Sequence, residues 1–144
     1  MIKIGIASDH AGFETKQNLI KWLLDDEYAI TDFGCYSTDS CDYPDFAHPL
    51  AKRLSEGDFD FGISLCGSGN GINMVVNKYP KIRSALCWQK EIASLARKHN
   101  DANMCALPAR FISTDDAIKI VKIFLETEFD GGRHLTRINK IPIQ

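Results

Sequence analysis

The sequence predicts an α/β fold built on a parallel sheet, and three observations carry that reading. Short β-rich runs alternate with amphipathic helical runs along the chain, the pattern of repeated βαβ units. At 144 residues and 44% hydrophobic content, the chain suits one domain with one sizeable core. The polar and glycine-rich oddities fall directly after the β-like runs, the edge where open α/β sheets bind ligands.

The first β-like run, Ile2–Ala7, leads into a helix over about Phe13–Asp26, the least regular of the helical patterns. After the second run, Tyr28–Phe33, Pro44 sits in the first turn of a helix that continues to Glu56, where its missing N–H costs nothing. The third run, Phe59–Leu65, ends at a glycine-rich loop. Beyond it Ile72, Val75, Val76 and Tyr79 recur at i, i+3, i+4 and i+7, which predicts a helix. The fourth run, Arg83–Cys87, precedes a helix whose apolar face reads as Trp88, Ile92, Leu95 and Ala96, with His99 on the same face. After the fifth run, Asn103–Leu107, Ser113 and Asp116 form a capping box for a helix carrying Ala117, Ile120, Val121, Phe124 and Leu125. A Gly-Gly break after Asp130 opens a short basic tail belonging to the same domain. Trp22 and Trp88 read as packing residues.

Bulk properties exclude several functions. A net charge of −2 and a pI near 6.1 give no global attraction to nucleic acid or to an acidic membrane surface. There is no signal-peptide pattern and no apolar stretch approaching membrane-spanning length, so a cytoplasmic protein is expected. The five cysteines form no CxxC pair and no zinc-site spacing with histidine; reduced thiols and no metal are expected.

The run Cys66-Gly67-Ser68-Gly69-Asn70-Gly71 is the most informative stretch. Three glycines let backbone approach a ligand closely, and a helix starting there aims N–H groups at an anion. The same field favours thiolate, which makes Cys66 a candidate base or nucleophile. The alternative is a buried, inert Cys66 in a tight strand-to-helix turn. The run matches neither a triphosphate loop nor a dinucleotide fingerprint, so a smaller anion is the expected ligand.

Asp9 and His10, Asp42 to Asp45 with Tyr43, and Arg110 also follow β-like runs and can share one crevice with this loop. His10 can instead cap a helix or face solvent, and Tyr43 is either a core or a lid aromatic. His99 reads as a packed or interface residue, or as a proton-transfer group oriented by Asn100 and Asp101. Arg133 and Arg137, four apart, share one face of a helical tail, where they either clamp a phosphate or face solvent.

The segments DHAGF (9–13), DYPDFA (42–47), CGSGNGI (66–72), Val76-Asn77-Lys78, RKHND (97–101) and GGRHLTRI (131–138), in that order over nearly the whole chain, resemble ribose-5-phosphate isomerase type B. The wider family includes galactose-6-phosphate isomerase subunits. The resemblance implies a Rossmann-like three-layer α/β/α sandwich with a five-stranded parallel sheet. It also implies homodimers or dimers of dimers with active sites shared between subunits, the tail of about 131–144 reaching the partner.

The implied activity is interconversion of ribose 5-phosphate and ribulose 5-phosphate in the pentose phosphate pathway, without cofactor or metal. Cys66 would be the base, the Gly67, Gly69, Asn70 and Gly71 backbone would stabilise the enediolate, and Ser68, where relatives often carry Thr, would help move protons between oxygens. His99 of the neighbouring subunit would open the sugar ring. Asp9, Tyr43 and Asn100 would contact the sugar, and His10, Arg110, Arg133 and Arg137 the phosphate. Some members carry Glu at the position of Ile72 and Gly at that of Cys66; this chain is similar to the thiol-based branch. A hexose-phosphate isomerase, a non-catalytic sugar-phosphate binding protein and a flavodoxin-like nucleotide or flavin module are the competing readings.

Overall fold

The computed structural model describes residues 1–143. Strands β1 (Lys3–Ser8), β2 (Ala29–Asp32), β3 (Phe61–Cys66), β4 (Ser84–Leu86) and β5 (Met104–Pro108) form one parallel sheet in the order β2-β1-β3-β5-β4. Helices α1 (Phe13–Asp25), α2 (Tyr43–Ser55), α3 (Asn70–Val76), α4 (Lys90–Asn100), α5 (Thr114–Glu126) and α6 (Arg133–Ile138) complete the chain. The expected α/β/α sandwich with five parallel strands is what the chain adopts.

Alternation along the strands divides the core in two. Ile4, Ile6, Ile63, Leu65, Cys105 and Leu107 meet α1, α4 and α5 on one face, while Ala7, Cys66, Met104 and Ala106 meet α2 and α3 on the other. Crossovers towards the β2 edge use the first face and those towards the β4 edge use the second, as right-handed connections require. The chain leaves β1 towards one edge and takes up β3 on its other side. The carboxyl ends of β1 and β3 therefore flank a topological switch point.

Two helices depart from the sequence expectation. The helix expected to run through Tyr79 ends at Val76, because the Asn77 side chain turns aside to bond Ser84 N and O at the start of β4 (2.9 Å each). Pro80 also disfavours helical backbone at Tyr79, whose hydroxyl bonds His48 Nδ1 at 2.7 Å instead. On α4 the buried side is Ala93, Ala96 and Arg97, whereas Trp88 and Leu95 are exposed. Small residues let α4 lie close to α5, and the large apolar residues read as its packing face point outward. Trp88 is thus not a packing residue of this chain; Trp22, half-buried, packs on the core.

α5 behaves as its pattern says: Ser113 Oγ accepts from Asp116 N at 3.1 Å, and Ala117, Ile120, Val121, Phe124 and Leu125 are buried. Each fully buried large side chain among them contributes about 1.5–3 kcal/mol of transfer free energy. All five cysteines are free. Burial pushes the Cys87 thiol up to about 12 and Cys105 well above its usual value, so both stay protonated at neutral pH. No described helix is long and apolar enough to cross a membrane.

Candidate active site

Four connections converge at the carboxyl edge of the sheet. After β1, the Asp9 carboxylate accepts from the amides of Ala11 (3.0 Å) and Gly12 (3.2 Å), closing a short 3-10 turn, and Asp9 N bonds Leu65 O at 3.2 Å. That turn sets His10 beside the loop after β2, where its Nδ1 accepts from Cys41 N–H at 3.2 Å. An accepting Nδ1 puts the neutral ring's proton on Nε2, leaving one donor for a ligand.

After β3 comes the glycine loop. Gly69 has φ +77°, a left-handed conformation, and a Cβ there would lie 2.5 Å from Leu86 Cδ1. This bend brings Gly69 N–H to 3.1 Å from Cys66 Sγ, and Asn70 N–H to 3.2 Å from Ser68 Oγ. A backbone donor aimed at sulfur suits a thiolate, the stronger acceptor. Cys66 is buried and faces the α2–α3 side, while Ser68 is exposed. With only seven residues, α3 brings a small dipole; the loop's own amides are the relevant donors.

Tyr43, the first residue of α2, packs against this loop: a Cβ on Gly71 would stand 2.5 Å from Tyr43 Cζ and 2.6 Å from its hydroxyl. Gly71→Ala must therefore push the ring aside. The expected result is a fall of about 10- to 100-fold in kcat/KM, the scale of a misplaced positioning group, with an unchanged far-ultraviolet spectrum. After β5, Arg110 N bonds Gly67 O at 3.0 Å, and a Cβ on Gly67 would lie 3.3 Å from Arg110 Cδ. Asp9, His10, Tyr43, the Cys66–Gly71 loop and Arg110 therefore line one edge.

His99, Asn100, Arg133 and Arg137 do not join them. Helix α4 starts at the carboxyl edge and runs back, so its last residues lie at the opposite edge, about 16–20 Å away across a strand of five or six residues. There α6 packs against α4, Asp130 N bonds Lys98 O at 3.0 Å, and Arg133 and Arg137 are exposed. Asp101 does not orient His99. Its carboxylate is taken by Arg97 Nη1 at 2.9 Å and Arg83 Nη2 at 3.4 Å, while Arg97 also bonds Ala102 O at 2.6 Å and lies 5.2 Å from the Phe61 ring. The partner of His99 is His134, whose ring stacks on it at 4.3 Å and 11°.

Sequence reasoning missed two supports. Lys16 is wholly buried, its Nζ 2.6 and 2.8 Å from the two Asp32 oxygens and 2.8 Å from Cys35 O, tying α1 to the loop that carries Cys41. The available signal was a lysine three residues before Leu19 and seven before Leu23, on the buried face of α1. His134 carried no signal of its own beyond lying in the GGRHLTRI segment.

A model of the Ribose/Galactose Isomerase family matches residues 4–141. The chain belongs to that family. Ribose-5-phosphate isomerase B of Escherichia coli is 36% identical over 141 residues, covering 98% of this chain and 95% of its own. Among solved structures, ribose 5-phosphate isomerase from Thermotoga maritima superposes with a TM-score of 0.95 at 48% identity, covering 97% of each chain. Ribose-5-phosphate isomerase B from Mycoplasma genitalium, with bound ribulose-5-phosphate, superposes with a TM-score of 0.93 at 40% identity, covering 97% of this chain and 93% of its own. The likeness spans nearly the full length of the chain, including the segments of the glycine loop, the Asp9-His10 turn and the basic tail.

Proposed function

We propose that this member of the family is an aldose–ketose isomerase that interconverts ribose 5-phosphate and ribulose 5-phosphate through an enediolate, with Cys66 as the base. The observation that carries the reading is Cys66 Sγ held at 3.1 Å by the amide of Gly69, at the sheet edge where Asp9, His10, Tyr43 and Arg110 converge.

Isomerisation removes a proton from the carbon next to a carbonyl, so it needs one base and donors facing the developing oxyanion. The Cys66 thiolate takes the proton from C2 of the open-chain aldose and returns it to C1. The Gly67, Gly69, Asn70 and Gly71 backbone stabilises the enediolate oxygens, and Ser68 carries the proton between O1 and O2. Asp9 and Tyr43 hold the sugar hydroxyls, and His10 Nε2–H and Arg110 bind phosphate. No step calls for a metal or redox cofactor.

We further propose a homodimer or dimer of dimers in the cytoplasm, in which His99 of the partner subunit opens the sugar ring, its Asn100 contacts the sugar, and its Arg133 and Arg137, on a tail reaching across from about residue 131, bind phosphate. What supports this is the placement of those four residues at the edge opposite Cys66, out of reach of their own chain's crevice. Mixing inactive Cys66→Ala and His99→Ala proteins is then expected to restore up to about a quarter of wild-type activity after subunit exchange, since mixed dimers keep one intact site. Demonstrated exchange without recovery means that each site lies within one chain.

The direct test is an assay of the purified protein with ribose 5-phosphate, following ribulose 5-phosphate, with galactose 6-phosphate in parallel. Turnover of the pentose phosphate is expected. Preference for the hexose phosphate would move the substrate to the galactose branch, and binding without turnover of either would make the chain a sugar-phosphate binding protein.

A further inference from the structure

Away from the cysteine loop, one group of metal-ligating side chains stands out among the described residues. His99, Asp130 and His134 each offer one ligand atom, and the three atoms all lie within 4.8 Å of one another. Two of these residues belong to α4 and α6, and the third, Asp130, lies in the loop between α5 and α6. The arrangement is held by the backbone: Asp130 N bonds Lys98 O at 3.0 Å, Gly131 and Gly132 turn the chain with φ +68° and +58°, and His134 N closes the turn on Gly131 O at 3.2 Å. His134 is buried and stacks on the half-exposed ring of His99.

We infer that His99, Asp130 and His134 form a site for a divalent transition-metal ion of the zinc class, and that an ion bound there takes His99 out of use. Three protein ligands with a fourth position open is a common zinc arrangement, and tetrahedral donors about 2.0–2.1 Å from the ion stand roughly 3.4 Å apart. Turning the half-exposed His99 ring out of its stack on His134, with the exposed Asp130 side chain, would close that difference and aim the three donors at one ion. Two nitrogen donors and one carboxylate favour zinc, cobalt or copper over magnesium and calcium, which prefer oxygen. Arg133 and Arg137 on α6 oppose a cation, so the nitrogens must supply the affinity.

The zinc-class site follows from these three residues alone; its effect on turnover rests on the proposed role of His99 in ring opening. A metal–imidazole bond occupies the nitrogen lone pair that proton transfer uses. Ions would then act as reversible inhibitors of an enzyme that needs none.

The test uses the full-length, metal-stripped protein titrated with Co²⁺. The expected result is a visible ligand-field absorption without a thiolate-to-cobalt charge-transfer band. It should be lost or weakened at least about tenfold in Asp130→Asn and in His134→Phe, which keeps a ring against His99 but removes the nitrogen. No absorption, a thiolate band, or absorption unchanged in both variants would overturn the site. In parallel, Zn²⁺ is expected to lower turnover by about 10²-fold, the scale of one acid–base group, with recovery on chelation and no effect of Mg²⁺. Asp130→Asn should keep basal turnover and resist zinc. Cobalt absorption in wild type with undiminished turnover in zinc would overturn the inhibitory role. Absence of turnover in the metal-free wild type would instead sink the isomerase reading, while the cobalt spectrum still decides the site.

Discussion

Cys66→Ala is expected to lower kcat by about 10²- to 10⁴-fold, the range for a positioned acid–base group, while leaving the affinity for a phosphate-bearing ligand within a few-fold of wild type. The separation follows from the geometry. The sulfur bonds Gly69 N, whereas His10 and Arg110 reach the crevice from other connections and keep their own supports. Removing the buried sulfur leaves Gly69 N–H without its acceptor, which costs about 1–3 kcal/mol of stability without removing the other supports of the crevice. Cys66→Ser tests the chemistry more narrowly. It keeps a hydrogen-bonding atom beside Gly69 but replaces a thiol with a hydroxyl of far higher pKa, so it should be nearly as slow as the alanine variant. Wild-type turnover in Cys66→Ala would remove the thiol from the mechanism. Equal losses of turnover and binding would mean that the loop had collapsed.

Lys16→Ala is expected to destabilise the fold by about 3 kcal/mol, within the range for breaking a buried ion pair and somewhat less than its maximum because the Asp32 side chain is 25% exposed. For a chain of this size that corresponds to a fall of roughly 6–12 °C in Tm. Losing the ammonium leaves Asp32 without its cation and Cys35 O without a donor, and losing the stem empties space beside Phe13 and Tyr36, whose rings lie 5.5 and 5.6 Å from Nζ. Lys16→Met restores the stem and should recover part of the loss. The comparison is Lys52→Ala, which removes an exposed pair to Glu56 at 4.0 Å and should change stability by no more than about 0.5 kcal/mol. Equal effects at Lys16 and Lys52 would show that the buried strap contributes nothing. Because the strap also positions the segment leading to Cys41, whose amide bonds His10, folded Lys16→Ala is expected to show a raised KM.

The sandwich was legible because strands and helices write different periods into the sequence, and each strand of the sheet begins and ends within two residues of its expected span. The glycine loop was legible because its backbone can be formed only by small residues: Gly69 has left-handed backbone, and Gly71 faces the Tyr43 ring. Periodicity failed on α4, where it marks apolar residues without saying whether a partner covers them. Ala93 and Ala96 meet the core there, and Trp88 and Leu95 do not. It failed beyond Val76 because one side chain, Asn77, binds β4 more favourably than the helix continues.

By itself, then, the sequence determined the fold class, the strands, and the residue types at the carboxyl edge, since these depend on local backbone preference and on patterns repeated over a few residues. Only the tertiary structure decided which distant residues meet. It joined Lys16 to Asp32 and Cys41 to His10, turned Asp101 towards arginines, and stacked His99 on His134. It also separated His99, Asn100, Arg133 and Arg137 from Cys66 by the length of the sheet, because a helix returning from a parallel strand must end at the edge where that strand began.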